Sequence, residues 1–138
     1  MNQDLPIFVC THGRFGEELV HSAEMIIGEV RNVKVFSLLE GMSPEEYRTM
    51  IEGKLKEANG KVLCLVDLFG GTPSNLCVIL SREYEMDVLS GLNLAMFIEI
   101  VSQVEYCKPA ELITTGLSAL RESGKNVLDE FSKIELGG

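Results

Sequence analysis

Tryptophan is absent from the 138 residues, histidine occurs twice, proline four times and cysteine four times, and basic residues are outnumbered 12 to 21 by acidic ones. Each shortage closes off a class of function. The formal charge of −9 and pI near 4.7 exclude a bulk electrostatic field suited to nucleic acid or an acidic membrane surface, and favour a protein partner with a basic patch. No apolar run approaches the roughly 20 residues that span a bilayer, and MNQDLPIFVC lacks a basic start and cleavage site, so a cytoplasmic chain is expected. Cys10, Cys64, Cys77 and Cys107 form no CxxC pair, and Cys10 and Cys64 fall inside apolar runs. They are expected to be reduced thiols acting as small hydrophobes, with no metal site. No P-loop or GxSxG motif is present, which removes the usual sequence signs of a nucleotide-dependent or serine hydrolase.

The remaining sequence alternates between two periodicities. Leu5 to Cys10 is a short apolar run that stops at Thr11-His12-Gly13, as a buried strand ending in a loop would. Leu19, Val20, Ala23, Ile26 and Ile27 then recur at helical spacing opposite Glu17, Glu18 and Glu24, and Gly28 closes the helix. Val33 to Leu38 reads as a second strand. Ser43-Pro44-Glu45-Glu46 supplies an N-cap, a first-turn proline and a capping-box glutamate for a helix ending near Asn59-Gly60. Lys61 to Asp67 is almost continuously apolar, which suits a central parallel strand, and ends on a carboxylate. The turn LFGGTPSN follows, with Thr72 expected as N-cap and Pro73 as first helical residue. MDVLSG forms a shorter strand before Asn93 and the helix LAMFIEIVSQV, and Pro109 opens a helix through Leu120. The tail Phe131 to Leu136 is expected to be a strand.

Four strand–helix repeats predict an α/β fold: an open, mostly parallel four-stranded sheet with helices on both faces. The chain is expected to form one domain over 1–138, with a core over about 1–123 and a tail over about 124–138. Ligands of such sheets lie beyond the carboxyl ends of the strands. THG, DLFGGTPSN and SGLN all fall at that edge, so residues distant in sequence can meet there.

His12, at the end of the first strand, has the chemistry of a nucleophile. If Asp67 accepts a hydrogen bond from Nδ1, the neutral ring keeps a lone pair on Nε2 for attack on phosphorus, and the carboxylate favours the positive charge that develops. Gly70 and Gly71 offer backbone N–H groups to phosphoryl oxygens, Thr72 offers a hydroxyl, and Pro73 starts a helix whose N-terminus attracts anions. No lysine lies in either loop, and Arg14 is the one nearby arginine, so the site suits transfer better than storage. Each feature has a plainer explanation: a loop histidine, a capping carboxylate, an ordinary turn. Their convergence on one edge favours a site. His21 falls within a helix and is expected at the surface. Phe69, Met96 and Phe97 fit either a rim or the core.

Three segments, THGRFGEELVHSAEMIIGE, LVDLFGGTPSN and SGLNLAMFIEIV, resemble the IIA component of the mannose family of the bacterial phosphoenolpyruvate-dependent sugar phosphotransferase system, in order over nearly the whole chain. The resemblance maps the family's phosphorylated histidine onto His12, its carboxylate onto Asp67 and its GG(S/T)P segment onto Gly70, Gly71, Thr72 and Pro73. It implies a phosphotransferase without cofactor: the histidine phosphocarrier protein donates, a IIB component accepts, and a membrane IIC/IID permease is served indirectly during sugar uptake. Arg14, Phe69 and Asn93 would form the partner rim. Family members carrying tryptophan at the Phe69 position, or proline at Ala95, show that this rim varies. The resemblance also implies a homodimer with the C-terminal strand exchanged between subunits. The related phosphoryl-transfer subunit of dihydroxyacetone kinase and a phosphorylation-dependent regulatory module are the alternatives.

Overall fold

A computed structural model of the chain describes residues 5–137. Its elements are β1 (Ile7–His12), α1 (Phe15–Ile27), β2 (Val33–Leu38), α2 (Pro44–Ala58), β3 (Val62–Val66), α3 (Thr72–Leu80), β4 (Met86–Ser90), α4 (Leu94–Gln103), α5 (Pro109–Ser123) and α6 (Val127–Gly137). The four strands form one parallel sheet in the order β2-β1-β3-β4. The chain moves outward from β1 to β2, then returns past β1 to β3. The carboxyl ends of β1 and β3 therefore flank the topological switch point, where open sheets place their ligands.

Strand alternation divides the core in two. Ile7 and Val9 of β1, with Leu63 and Leu65 of β3, face Leu19 and Ala23 of α1, Met96, Phe97 and Ile100 of α4, and Leu112 of α5. Phe8, Cys10, Val62, Cys64 and Val66 face the other way, against Tyr47, Ile51 and Leu55 of α2 and Leu76, Cys77 and Leu80 of α3. Both faces of β1 and β3 are covered, so both strands read as continuous apolar runs. Burying Tyr47 requires a partner for its hydroxyl, which donates to the Phe36 carbonyl at 2.7 Å. Met96 and Phe97 are fully buried and belong to the core, not to a rim.

Local signals set most boundaries. The Ser43 hydroxyl accepts from the Glu46 N–H, and Asn59 ends α2 at φ 49°. Gly28 ends α1 at φ 86°, in the region that favours glycine. Two expectations need correcting. The N-cap of α3 is Gly71, and Thr72 is its first residue. The tail expected as a strand is the helix α6: Val127, Leu128, Phe131 and Ile134 recur with helical rather than two-residue period, the Asn126 side chain accepts from the Asp129 N–H, and Lys125 and Lys133 bridge to Glu130. Among the described residues, the tail is thus a helix where a C-terminal strand for exchange is expected.

Candidate active site

β1 runs two residues further than the apolar pattern indicates, so Thr11 and His12 are strand residues that continue the ladder opposite Ser37 and Leu38. This extension gives His12 a fixed backbone. Beyond it the chain turns at Gly13, whose φ of 54° is left-handed and whose N–H donates to the Leu38 carbonyl at 2.7 Å. The buried Thr11 hydroxyl accepts from the Gly16 N–H at 2.9 Å, drawing the start of α1 against the strand. A Cβ on Gly16 would come within 2.8 Å of Val9, so only glycine permits this approach.

Asp67 follows β3 directly. Its Oδ2 accepts both the His12 backbone N–H at 2.9 Å and a hydrogen bond from His12 Nδ1 at 3.0 Å. The Nδ1 contact assigns the ring proton to that nitrogen and leaves the Nε2 lone pair free. The imidazole is 47% exposed and the carboxylate 15%, so the ring is within reach of a partner while its anchor is largely covered. Oδ1 is buried without a partner among the described residues.

The LFGGTPSN turn closes the third side. Gly70 adopts φ 83°, and Gly71 N–H turns back to the Leu68 carbonyl at 3.3 Å. Gly71 is thus already engaged as a donor. Among the described residues, the N–H groups of Gly70, Thr72 and Ser74 carry no protein partner, and those of Thr72 and Ser74 lie in the first turn of α3. Pro73 has no N–H, so its contribution is to start the helix. A Cβ built on Gly71 would lie 2.7 Å from His12 Cε1 and 3.3 Å from Nε2, which places this glycine against the reactive edge of the ring.

The rim residues divide. Arg14 is well exposed and pairs with Glu17 at 3.2 Å, while Glu17 also accepts from the Ser37 hydroxyl at 2.6 Å. That hydrogen bond first, and the Arg14 charge after it, hold the Glu17 carboxyl below its ordinary value. Glu17 and Ser37 escaped sequence reasoning, although Arg14 and Glu17 stand at the i,i+3 spacing of a helical ion pair. Phe69 is 84% exposed, beside Leu68 and not far along the chain from the loop's glycines. Asn93 lies at the same sheet edge, but its side chain has structural work: Oδ1 accepts from the Met96 N–H, and Nδ2 donates to Ser123 Oγ. It also borders a shallow apolar groove with Phe15, Leu19 and Leu94. His21 is exposed on α1 and contacts Glu18 at 3.4 Å, away from any carboxylate following a strand. No group of three or more histidine, cysteine or acidic residues among the described residues could hold a metal ion.

The comparisons with known proteins bear on this arrangement. A family model described as the fructose IIA component of the PTS system matches residues 6–115. A fructose-specific EIIA component of the PTS system from Bacillus subtilis is 29% identical over 129 residues, covering 91% of this chain and 88% of its own length. A mannose-specific EIIAB component from Escherichia coli is 35% identical over 130 residues, and the match covers 88% of this chain but 39% of that protein. Among solved structures, an EIIA component from Streptococcus agalactiae superposes with a TM-score of 0.84 at 29% identity, covering 91% of this chain and 98% of that one. A mannose/sorbose-specific IIA subunit from Enterococcus faecalis gives 0.81 at 30% identity, covering 88% and 93%.

Proposed function

The chain belongs to the fructose/mannose-type family of IIA components of the sugar phosphotransferase system, and from that premise we propose that His12 Nε2 carries its phosphoryl group. The observation that carries the proposal is the pair formed by His12 Nδ1 and Asp67 Oδ2 at 3.0 Å, with Nε2 left beside Gly71 at the N-terminus of α3. The histidine phosphocarrier protein is the donor. Nε2 attacks phosphorus, a new N–P bond forms, the N–P bond to the donor's imidazole breaks, and that imidazole leaves. Asp67 keeps its charge and stabilises the positive ring. Phosphoryl oxygens meet the loop of Gly70, Gly71, Thr72 and Pro73, where the free N–H groups of Gly70, Thr72 and Ser74 and the helix dipole receive them. The reverse chemistry passes the group to a histidine of a IIB component, and the membrane IIC/IID permease is served indirectly.

Reversibility favours this carrier role. Neutral dipoles line the loop, and the nearby cation, Arg14, is held by Glu17, so the phosphohistidine is not trapped. Phe15, Leu68 and Phe69, on the segments that follow His12 and Asp67, are exposed and supply apolar area for docking both proteins, with Arg14 and Asn93 at the margin. The chain has no helix among its described residues long and apolar enough to cross a membrane, and the reading places it in the cytoplasm. It works without a cofactor and without nucleic acid. It is a homodimer through α6, whose Val127, Leu128, Phe131 and Ile134 present an apolar face that a second copy can match by two-fold symmetry.

The test is phosphorylation by phosphoenolpyruvate, the first phosphotransferase enzyme and the phosphocarrier protein. Intact mass should rise by one phosphate that mild acid removes and base does not. His12→Ala should abolish the gain, and His21→Ala should not. A label that survives acid, or persists in His12→Ala, refutes the proposal.

A further inference from the structure

Glycine at position 71 is not demanded by the backbone. Its φ of −79° and ψ of 172° are extended values open to any residue, in contrast to Gly70 at φ 83°. Its N–H and C=O are both engaged, with Leu68 and Asn75, in bonds that alanine would make equally well. The feature that excludes a side chain is the imidazole: a Cβ would stand 2.7 Å from His12 Cε1 and 3.3 Å from Nε2.

We infer that Gly71 is a positioning residue for His12, its missing side chain forming the seat that holds the imidazole edge and keeps Nε2 clear for the incoming phosphoryl group. The inference rests on the carrier reading and adds a part to it. The ring has three determinants: its Cβ on β1, Nδ1 on Asp67 and Cε1 in the space that a Gly71 side chain would fill. A ring held at Cβ and Nδ1 alone could still tilt about the line between them. The Gly71 backbone blocks tilting toward α3. A methyl group there would displace the exposed ring outward, because His12 can move into solvent and the α3 backbone cannot. The displacement would lengthen the Asp67 bond and turn Nε2 from the free N–H groups of the loop.

A structural role and a positioning role predict opposite outcomes for Gly71→Ala. Replacing glycine where φ and ψ suit any residue lowers the entropy of the unfolded chain, which offsets the loss of a glycine N-cap and the longer Asp67 bond, so the melting temperature should change little. Phosphoryl transfer from the labelled phosphocarrier protein should fall at least tenfold. The nitrogen-15 and proton NMR signals of the His12 imidazole should move away from the Nδ1-bonded pattern. Gly70→Ala is the contrast: its Cβ meets nothing within 4 Å but its φ is strained, so the melting temperature should fall with the His12 signals in place. Wild-type transfer by Gly71→Ala with unchanged His12 signals would overturn the inference. So would a loss of transfer that merely follows a lower melting temperature. A wild-type chain that takes no label would overturn the carrier reading instead, and the imidazole signals of Gly71→Ala would still decide the positioning claim.

Discussion

Replacing Asp67 by asparagine separates the charge of this residue from its hydrogen bonds. Two donors, the His12 N–H and Nδ1, converge on Oδ2. An amide must therefore turn its oxygen to that position, since its NH2 group would face two donors. The nitrogen then occupies the place of Oδ1, which already lacks a partner among the described residues, so the fold loses no existing bond. Stability should change by less than about 1 kcal/mol. The tautomer should also survive, and what disappears is the negative charge. A full positive charge about 4 Å from a carboxylate is worth roughly 4 kcal/mol near a protein surface. Only part of that charge develops in the transition state, and the imidazole is 47% exposed, which leaves about 1–2 kcal/mol. Single-turnover transfer from the labelled phosphocarrier protein should thus slow by roughly 5- to 30-fold. An unchanged rate would remove the Asp67 charge from the mechanism. A loss of about 10⁴, the scale expected for a wrong tautomer, with the proton found on Nε2, would refute the argument for amide orientation.

The same two bonds mark the limit of what the sequence carries. The sheet and its helices were legible because apolar periodicity, caps and turn residues agree: Ser43 caps α2 with Pro44 in its first turn, as their positions suggest. His12 and Asp67 were legible because each ends an apolar run, and parallel topology brings such ends to one edge. Their shared oxygen was not, since it depends on Thr11 and His12 continuing the ladder beyond the last apolar residue. Nor was the reason for Gly71: a glycine pair reads as a turn, and only geometry distinguishes the one that needs φ 83° from the one that must clear an imidazole. The tail misled because FSKIEL is too short to fix a period. Including Val127 and Leu128 reveals the helical one, which Asn126 and the lysine pairs with Glu130 support.

Further measurements address other parts of the structure. Asn93→Ala removes the cap of α4 and the bond to Ser123, and should cost about 1–2 kcal/mol in denaturant unfolding; no loss would show the cap to be dispensable. Because the folded Glu17 carboxyl lies below its ordinary 4.5, its stabilisation is fully present above that pH and is lost as the pH falls through the lowered value. The melting-temperature gap between wild type and Ser37→Ala should accordingly narrow on acidification, and a gap independent of pH would contradict this. Cys10, Cys64 and Cys77 are wholly buried, whereas Cys107 is partly exposed, so a thiol reagent should modify Cys107 alone before unfolding; rapid reaction of a second thiol would refute the packing. The dimer can be judged at α6, where Val127, Leu128, Phe131 and Ile134 are between 59% and 78% exposed on one helical face. Covering such a side chain is worth at least about 1 kcal/mol, so eight from two helices supply roughly 8 kcal/mol or more, within the range of the cost of association. Association through this face should then be sensitive to a single charge, and light scattering should find a dimer for the full chain and a monomer for both Phe131→Glu and a chain ending at residue 126. A full-length monomer would refute the dimer, and a dimer that survives both changes would place its interface elsewhere than α6.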